Sequence, residues 1–208
     1  MSQNGLFITL EGVDGGGKST QTSLLVEALE AKGHEVLRVR DPGSTRLSEK
    51  IRLLLLDPAN DDMSVVCELL LYEAARAQLV SEKIKPALKR GMAVVCERFC
   101  DSTFAYQAYG RGINTDLVRA ANQLGACGLV PDATIVFDID PSEALGRATR
   151  EGADRLESEG TPFQRKVRDG YLQLAAEDPK RIRIVDAIGS VEVVHARVTA
   201  ALRDVVAL

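Results

Sequence analysis

Short runs of consecutive apolar residues alternate along the chain with longer stretches in which apolar residues recur every three or four positions. Runs of the first kind are typical of buried strands, and stretches of the second kind are typical of amphipathic helices. The runs predict strands at residues 6–10, 35–40, 92–96, 133–138 and 181–185. The stretches predict helices at residues 20–32, 47–56, 63–90, 113–126, 141–149, 163–177 and 191–206. Because strands separated by helices favour a parallel sheet covered on both faces, we expect an α/β fold with a five-stranded parallel sheet.

The length and composition are those of an ordinary globular domain. A chain of 208 residues fits one domain and can bury a single large core without disulfides or metals. We see no internal repeat, low-complexity tract or linker, so we expect a single domain over residues 1–208.

Charge and cysteine usage exclude several classes of partner. The net charge of −4 argues against a nucleic-acid-binding surface, which needs a basic patch. Four cysteines without a C-x-x-C pair, and only two histidines, favour free thiols in a reducing compartment over a zinc site. The sequence has no signal-peptide pattern and no apolar run near the roughly 20 residues needed to span a bilayer. We therefore expect a cytoplasmic protein with neither a membrane nor a nucleic-acid partner.

Residues 12–19, GVDGGGKS, fit the phosphate-loop pattern G-x-x-x-x-G-K-[ST] between the first predicted strand and the first predicted helix. In that context the glycines let backbone N–H groups surround a phosphate, and the helix adds its positive dipole end. Lys18 is expected to reach the β- and γ-phosphates, and the Ser19 hydroxyl to bind Mg²⁺. A glycine-rich turn without function is the alternative, and the strand and helix on either side disfavour it. The predicted ATP-binding residues of this loop are Gly12, Val13, Asp14, Gly15, Gly16, Gly17, Lys18, Ser19 and Thr20.

A phosphate loop alone indicates nucleotide binding, and a second feature limits which classes of nucleotide-binding protein fit the sequence. Glu97 and Arg98 follow the third predicted strand, at the sheet edge where ligands of such folds gather. Arg98 can clamp a second phosphate group there, and Glu97 can hold Mg²⁺ through water. An ion pair at the strand end is the structural alternative. The chain lacks the Asn-Lys-x-Asp motif that reads guanine, which lowers the case for a GTPase.

Five segments are similar to those of one known family in order and spacing. They are EGVDGGGKST at 11–20, RDPGST at 40–45, YEAARAQ at 72–78, ERFCDSTFAYQ at 97–107 and DRLE at 154–157. On these residues the chain resembles the thymidylate kinases over nearly its whole length. The resemblance implies the P-loop nucleoside monophosphate kinase fold, with a lid insert at about 147–157. It also implies transfer of the γ-phosphoryl group of ATP, with Mg²⁺, to dTMP, giving dTDP for dTTP synthesis. The alternatives are another (deoxy)nucleoside monophosphate kinase and a P-loop nucleotide switch without catalysis.

The resemblance assigns the catalytic roles to Lys18, Arg98, Asp14 and a lid arginine. Donor and acceptor are both polyanions, so Lys18, Mg²⁺ and Arg98 must offset their repulsion. A strong base is not needed, because the phosphate of dTMP is already largely ionised near neutral pH. Asp14 resembles the carboxylate that binds the sugar 3′-hydroxyl and orders the arginines, although it could simply cap the loop.

Gly15 stands at a position where some relatives carry arginine, so we expect the missing cation to come from the lid. By resemblance, Arg150 is the catalytic lid arginine, and such a group contributes roughly 10³–10⁵ in rate. Arg147 would contact ATP, and Asp154 with Arg155 would form the lid hinge. A solvated helix of mixed charge is the alternative for this segment.

The predicted dTMP-binding residues are Asp14, Arg52, Tyr72, Arg76, Arg98, Thr103, Tyr106 and Gln107. Tyr72 and Arg76 are four residues apart on one helix and share a face. By resemblance, Tyr72 stacks on thymine, Arg76 donates to its O4, Thr103 bonds the base edge and Tyr106 crowds the 2′ position. Donors that face O4 can reject cytosine by up to about 10⁴–10⁵, whereas uracil lacks only a methyl group worth roughly 1–3 kcal/mol. Core packing is the alternative for both tyrosines.

Three further expectations concern the phosphate, the metal and the oligomer. Arg52 could reach the dTMP phosphate, or could be a surface charge. The predicted metal residues are Ser19, Glu97 and Asp41, and Asp41 could instead order Arg98. The resemblance and the apolar face of the 63–90 helix suggest a homodimer, although that face could equally belong to the core.

Overall fold

The computed structural model describes residues 5–148 and 155–208. Its centre is a parallel sheet of five strands in the order β2-β3-β1-β4-β5. The strands are β1 (Phe7–Gly12), β2 (Val36–Arg40), β3 (Ala93–Glu97), β4 (Ala133–Asp138) and β5 (Ile182–Asp186). The predicted α/β class and all five predicted strands are confirmed, with strand ends shifted by two residues at most.

Helices connect successive strands and cover both faces of the sheet. They are α1 (Lys18–Ala31), α2 (Arg46–Leu56), α3 (Val65–Leu79), α4 (Lys85–Lys89), α5 (Cys100–Thr103), α6 (Thr115–Gly125), α7 (Pro141–Ala148), α8 (Gly160–Glu177) and α9 (Val191–Ala201). Side chains at their N-termini accept backbone N–H groups and define where several helices begin. Thr45 caps α2, Ser64 caps α3 and Asn114 caps α6 in this way.

Three helical segments differ from the sequence prediction, and one of them is α9, which ends at Ala201 although a helix is predicted to residue 206. The expected single helix over 63–90 is α3 and α4 joined by the π-helical segment Val80–Ile84. Pro86, at the start of α4, has no N–H to donate to the preceding turn, and a π-helical turn accommodates that loss. The sequence predicts no element at residues 100–110, where the structure has α5 and a second π-helical segment, Phe104–Gly110.

The apolar face expected on the 63–90 helix is divided between core and surface. Ala75 is fully buried and Leu71 is half-buried, whereas Leu70 is 59% exposed. The outward side of α3 is therefore not part of the core of the monomer.

The sheet order decides where the loops that follow the strands meet. β1 and β3 are neighbours, with Leu10 opposite Glu97, so the loop after β1 lies beside the residues after β3. β2 lies on the other side of β3, with Arg40 opposite Glu97. The carboxyl ends of three strands thus converge at one edge of the sheet. In the part of the chain that the structure describes, no helix is both long enough and apolar enough to span a bilayer.

Candidate active site

The loop between β1 and α1 folds around the side chain of Lys18. Its glycines at positions 12, 15 and 17 have φ angles of 131°, 78° and 85°, a region that favours glycine. The Lys18 Nζ donates to the carbonyl oxygens of Gly12 at 3.0 Å and Val13 at 2.7 Å. Burial lowers the pKa of Lys18 to about 8. The loop therefore holds a positive charge inside a ring of backbone groups, as the phosphate-loop motif predicts.

Arg98 joins this loop to the end of β3. Its backbone lies in the left-handed region, with φ 65°, which turns the side chain back over the loop. The Arg98 Nη2 donates to Asp14 Oδ1 at 2.5 Å and to the Tyr106 hydroxyl at 3.2 Å. Tyr106 in turn donates to Asp14 Oδ2 at 3.0 Å. Although burial raises the pKa of Asp14, Arg98 and Lys18 lower it to about 2, so Asp14 is ionised at neutral pH.

Asp14 and Arg98 line two cavities. We call the first the inner cavity, and it is lined by Asp14, Asp41, Pro42, Arg52, Leu56, Tyr72, Arg76, Arg98, Ser102, Thr103, Tyr106, Gln107 and Leu156. We call the second the loop cavity, and it is lined by Asp14, Gly15, Gly17, Lys18, Ser19, Thr20, Arg40, Asp41, Arg52, Glu97 and Arg98. Four charged residues border both cavities: Asp14, Asp41, Arg52 and Arg98. Groups bound in the two cavities would therefore meet at a wall that carries two arginines.

The structure brings the sequence-predicted residues together in these cavities. All eight predicted dTMP-binding residues line the inner cavity. Of the predicted ATP-binding loop, the residues at 14, 15 and 17–20 line the loop cavity. Gly12 and Val13 contribute the carbonyl groups that hold Lys18. Gly16 closes the turn by donating its N–H to the carbonyl of Val13 at 3.3 Å.

Arg76 is fully buried between the inner cavity and α6, and its hydrogen bonds are made within the protein. Its Nε donates to Asp41 at 2.6 Å, and its Nη1 donates to Glu73 at 2.6 Å and to Asn122 at 2.5 Å. Its Nη2 donates to Thr103 Oγ1 at 2.7 Å and to the carbonyl of Phe99 at 3.2 Å. An arginine has five N–H donors, so a bond from Arg76 to a base carbonyl must compete with these contacts. The hydroxyl of Thr103, which Arg76 orients, borders the same cavity.

The expectation that Asp41 orders Arg98 is wrong. Asp41 bonds Arg76 instead, because the turn after β2 faces α3. Burial raises the pKa of Asp41, and Arg76 opposes that shift. Its second oxygen, Oδ1, is buried and has no hydrogen-bond partner among the described residues.

Ser19 and Glu97 form a polar pair at the mouth of the loop cavity. The Ser19 hydroxyl donates to Glu97 Oε2 at 2.7 Å, and Arg38 donates to Glu97 Oε1 at 2.9 Å. Within residues 5–148 and 155–208, no three acidic, histidine or cysteine side chains cluster as a metal site. One hydroxyl and one carboxylate fit Mg²⁺, which is usually held by one or two protein ligands together with phosphate oxygens and water.

Of the predicted lid residues, the structure describes the side chain of Arg155 alone. Arg150, Asp154 and the side chain of Arg147 lie outside the described residues. Gly15 lies against α7, the helix that leads to the lid: a Cβ at Gly15 would lie 2.0 Å from the carbonyl oxygen of Ala144. A side chain at position 15 therefore has no room in this arrangement.

Arg155 is buried against α2 and α3, away from the loop cavity. Its Nη2 lies 2.6 Å from Glu68 Oε2, and its Nε donates to the carbonyl of Leu55 at 2.8 Å. Glu68, which is fully buried, also accepts from Gln107 Nε2 at 2.8 Å and from Arg111 Nε at 3.2 Å. Hydrogen bonds from Arg111 and Gln107 lower the pKa of Glu68 against the effect of burial. Glu68 thus ties the end of the predicted lid to a wall of the inner cavity.

A polar group behind Arg98 was not predicted from the sequence. Glu11, on β1, accepts from the backbone N–H of Phe99 at 2.7 Å and from the hydroxyls of Ser102 at 2.5 Å and Tyr171 at 3.0 Å. Burial, together with the charge of Asp101, raises the pKa of Glu11 to about 7. The sequence signal for this group was the charged Glu11 at the end of an otherwise apolar strand run.

Comparisons with known proteins give one consistent result. The family model described as thymidylate kinase matches residues 10–198. A thymidylate kinase of Pelotomaculum thermopropionicum is 47% identical over 203 residues, covering 97% of this chain and 94% of the relative. One from Caldanaerobacter subterraneus subsp. tengcongensis is 46% identical over 200 residues, covering 96% of each. A crystal structure of thymidylate kinase from Ehrlichia chaffeensis matches with a TM-score of 0.79 and 34% identity, covering 96% of this chain and 99% of that one.

Proposed function

The chain belongs to the thymidylate kinase family and phosphorylates dTMP to dTDP, and we propose that dTMP binds in the inner cavity and ATP in the loop cavity. The single observation that supports this arrangement is the wall that the two cavities share. Arg98 and Asp14 belong to that wall, since both residues line the inner cavity and the loop cavity. Transfer of a phosphoryl group needs donor and acceptor phosphates to meet at such a point.

The proposed chemistry is charge neutralisation at this wall. Lys18 approaches the β- and γ-phosphates from the loop, and Arg98 contacts the phosphates from the end of β3. Arg52, which borders both cavities and donates to the carbonyl of Pro42 at 3.2 Å, is positioned for the acceptor phosphate. Asp14 holds Arg98 and, being ionised, can accept a hydrogen bond from the sugar 3′-hydroxyl.

Ser19 and Glu97 are the residues that would hold Mg²⁺ at the loop cavity. Mg²⁺ bound there would offset the negative charge of the donor phosphates. The Oδ1 of Asp41 is a further acceptor beside both cavities, although its partner Arg76 already neutralises this carboxylate.

We propose that the acceptor base lies between Tyr72 and the pair formed by Thr103 and Gln107. Gln107 donates its amide N–H to Glu68, which fixes the amide with its oxygen available as an acceptor. Arg76 acts on the base edge chiefly through Thr103, whose hydroxyl oxygen it bonds. Tyr106, held by Asp14 and Arg98, is the residue that would crowd a ribose 2′-hydroxyl.

For the lid residues we propose the roles that the resemblance implies. We propose one kinase domain with a lid at about 147–157, in which Arg150 supplies the catalytic cation and Arg147 contacts ATP. The crowding at Gly15 supports a cation from the lid, because the loop itself has no room for a side chain at that position. Arg155 and Asp154 would form the hinge, with Arg155 anchored on Glu68.

We further propose a cytoplasmic homodimer. Large apolar side chains are exposed on α3 and on α2 and α6, each of which packs against α3. They are Leu53, Leu54, Val66, Leu70, Leu117 and Leu124. An exposed apolar patch over three adjacent helices is typical of a surface that a partner covers, and a second copy of this chain is the partner we propose.

The decisive assay is ADP formation with Mg²⁺ and ATP against dTMP, dUMP, dCMP, dGMP, the ribose form of TMP, and thymidine. We expect dTMP to be preferred, dUMP to be weaker and dCMP to be inactive. A different preferred acceptor would favour another nucleoside monophosphate kinase. Tight ATP binding without turnover would favour a nucleotide switch.

The variant Arg98→Ala separates catalysis from binding. We expect it to lose most turnover while it still binds ATP, because Lys18 and the loop glycines remain. Turnover retained in this variant would contradict the role proposed for Arg98.

A further inference from the structure

The guanidinium of Arg98 is held on two sides, and the second side includes two hydroxyl groups that are not among the predicted site residues. On the first side Nη2 bonds Asp14 and Tyr106. On the second side Nη1 donates to the carbonyl of Gly12 at 3.0 Å and to the hydroxyls of Ser102 and Tyr171, each at 3.2 Å. If the function of an arginine depends on the orientation of its guanidinium group, both sides of that group must be held, since the long side chain otherwise has many rotamers.

The two hydroxyls on the second side are themselves fixed by a buried carboxylate. Tyr171 donates to Glu11 Oε2 at 3.0 Å, and Ser102 donates to the same oxygen at 2.5 Å. The two hydroxyl oxygens lie 2.8 Å apart. Since each hydroxyl has one hydrogen and two lone pairs, donation to Glu11 leaves lone pairs to face Arg98. The carboxylate therefore decides which way both hydroxyls point.

Tyr171 connects this group to a distant part of the chain. It lies on α8, the first long helix after the predicted lid, and its side chain is 1% exposed. The ring packs edge-on against Tyr106, with the ring centres 6.5 Å apart. Ser102, by contrast, follows Arg98 closely on α5.

We propose that Tyr171 is a positioning residue for Arg98: its hydroxyl, oriented by Glu11 together with Ser102, holds the guanidinium in the direction needed for phosphoryl transfer. The inference rests on the catalytic role proposed for Arg98. It adds a requirement for turnover that lies outside the sequence segments from which the site was predicted. The hydroxyl does not contact the substrate and acts only through Arg98.

The test is a double-mutant cycle with Tyr171→Phe and Arg98→Ala, measured as kcat and KM for dTMP and ATP. Phenylalanine keeps the buried ring, so the substitution removes the hydroxyl with little loss of packing. We expect Tyr171→Phe to lower kcat about five- to tenfold, the equivalent of one hydrogen bond, with KM for ATP unchanged. In the Arg98→Ala background, the same substitution should change kcat less than about twofold, because the group it positions is gone.

The possible outcomes distinguish the positioning role of Tyr171 from the catalytic role of Arg98. An equal loss of kcat from Tyr171→Phe in both backgrounds would overturn the inference, since Tyr171 would then act independently of Arg98. Undiminished turnover in Arg98→Ala alone would overturn the proposed role of Arg98. Ser102→Ala provides a second variant, and its effect should vanish in the Arg98→Ala background in the same way.

Tyr109→Phe is the matched control. Tyr109 also packs against α8, where its ring lies against Gly170, beside Tyr171 in sequence. Loss of its hydroxyl should leave kcat unchanged. A loss of kcat as large as that of Tyr171→Phe would show that any change at this helix contact slows turnover, and would overturn the inference.

Discussion

Replacement of Arg76 by leucine should destabilise the protein by about 3–5 kcal/mol near pH 8, the usual cost of removing one partner from a buried ion pair. The substitution removes the cation that Asp41 and Glu73 share, and both of these carboxylates are buried. It also removes the partner of Asn122. For a chain of 208 residues, a change of this size corresponds to a fall in Tm of about 6–20 °C.

The destabilisation should depend on pH, with a sign that follows from the two carboxylates. Burial already raises the pKa of Asp41 and of Glu73, and Arg76 opposes both shifts. Without Arg76 both pKa values rise further. When the pKa of a carboxyl group is higher in the folded state than in the unfolded state, the folded protein is less stable at high pH. The stability falls as pH rises from about 4 towards the pKa of the folded state. The deficit of Arg76→Leu should therefore be smaller near pH 5 than near pH 8.

Urea denaturation followed by circular dichroism measures both effects, since the chain has no tryptophan to report by fluorescence. The matched control is Arg197→Leu, because Arg197 lies 3.1 Å from the Asp186 carboxylate with both side chains well exposed. Arg197 also donates to the carbonyl oxygens of Asp186 and Ile188. An exposed pair of this kind is worth about 0–1 kcal/mol. A loss for Arg76→Leu no larger than that of the control, or one equal at both pH values, would refute the reasoning.

Three further predictions concern the loop, the metal and the oligomer. Gly15→Ala should lower Tm more than Gly33→Ala, because both glycines have positive φ but only the first has a backbone oxygen in the way of a Cβ; equal losses would show that α7 yields freely. Glu97→Gln should raise the Mg²⁺ concentration needed for half-maximal turnover, measured by titration at fixed ATP, whereas an unchanged Mg²⁺ requirement would remove this residue from the metal site. Leu124→Glu should convert the dimer to a monomer in sedimentation experiments, since this side chain is 80% exposed in the monomer; a wild-type protein that sediments as a monomer would contradict the proposed assembly.

The strands and the phosphate loop were predictable because their signals are local. Each strand is a short apolar run, and the phosphate-loop motif lies between a strand and a helix. Sheet order then follows the usual α/β pattern, which brings the loop to Arg98. The prediction for the inner cavity came from the resemblance, and all eight of its residues do line that cavity.

The partners of these residues were not predictable, because they are far apart in the chain. Asp41 is 35 residues from Arg76, and Asn122 is 46 residues away on another helix. Tyr171 is 160 residues from Glu11, and a single tyrosine on an amphipathic helix has no feature that distinguishes it from a core residue. The element at residues 100–110 was missed because its π-helical winding does not follow the 3.6-residue period.

The close approach of Gly15 to α7 has an evolutionary consequence. A lineage that gained an arginine in this loop would have to shift the helix before the lid in the same step, because the carbonyl of Ala144 occupies the place of the new Cβ. The first substitution alone would be deleterious, and the compensating change alone would have no benefit. Because the obstructing atom is a backbone carbonyl oxygen, a change of side chain at position 144 would not remove it. The packing of α7 against the loop therefore favours retention of glycine at position 15.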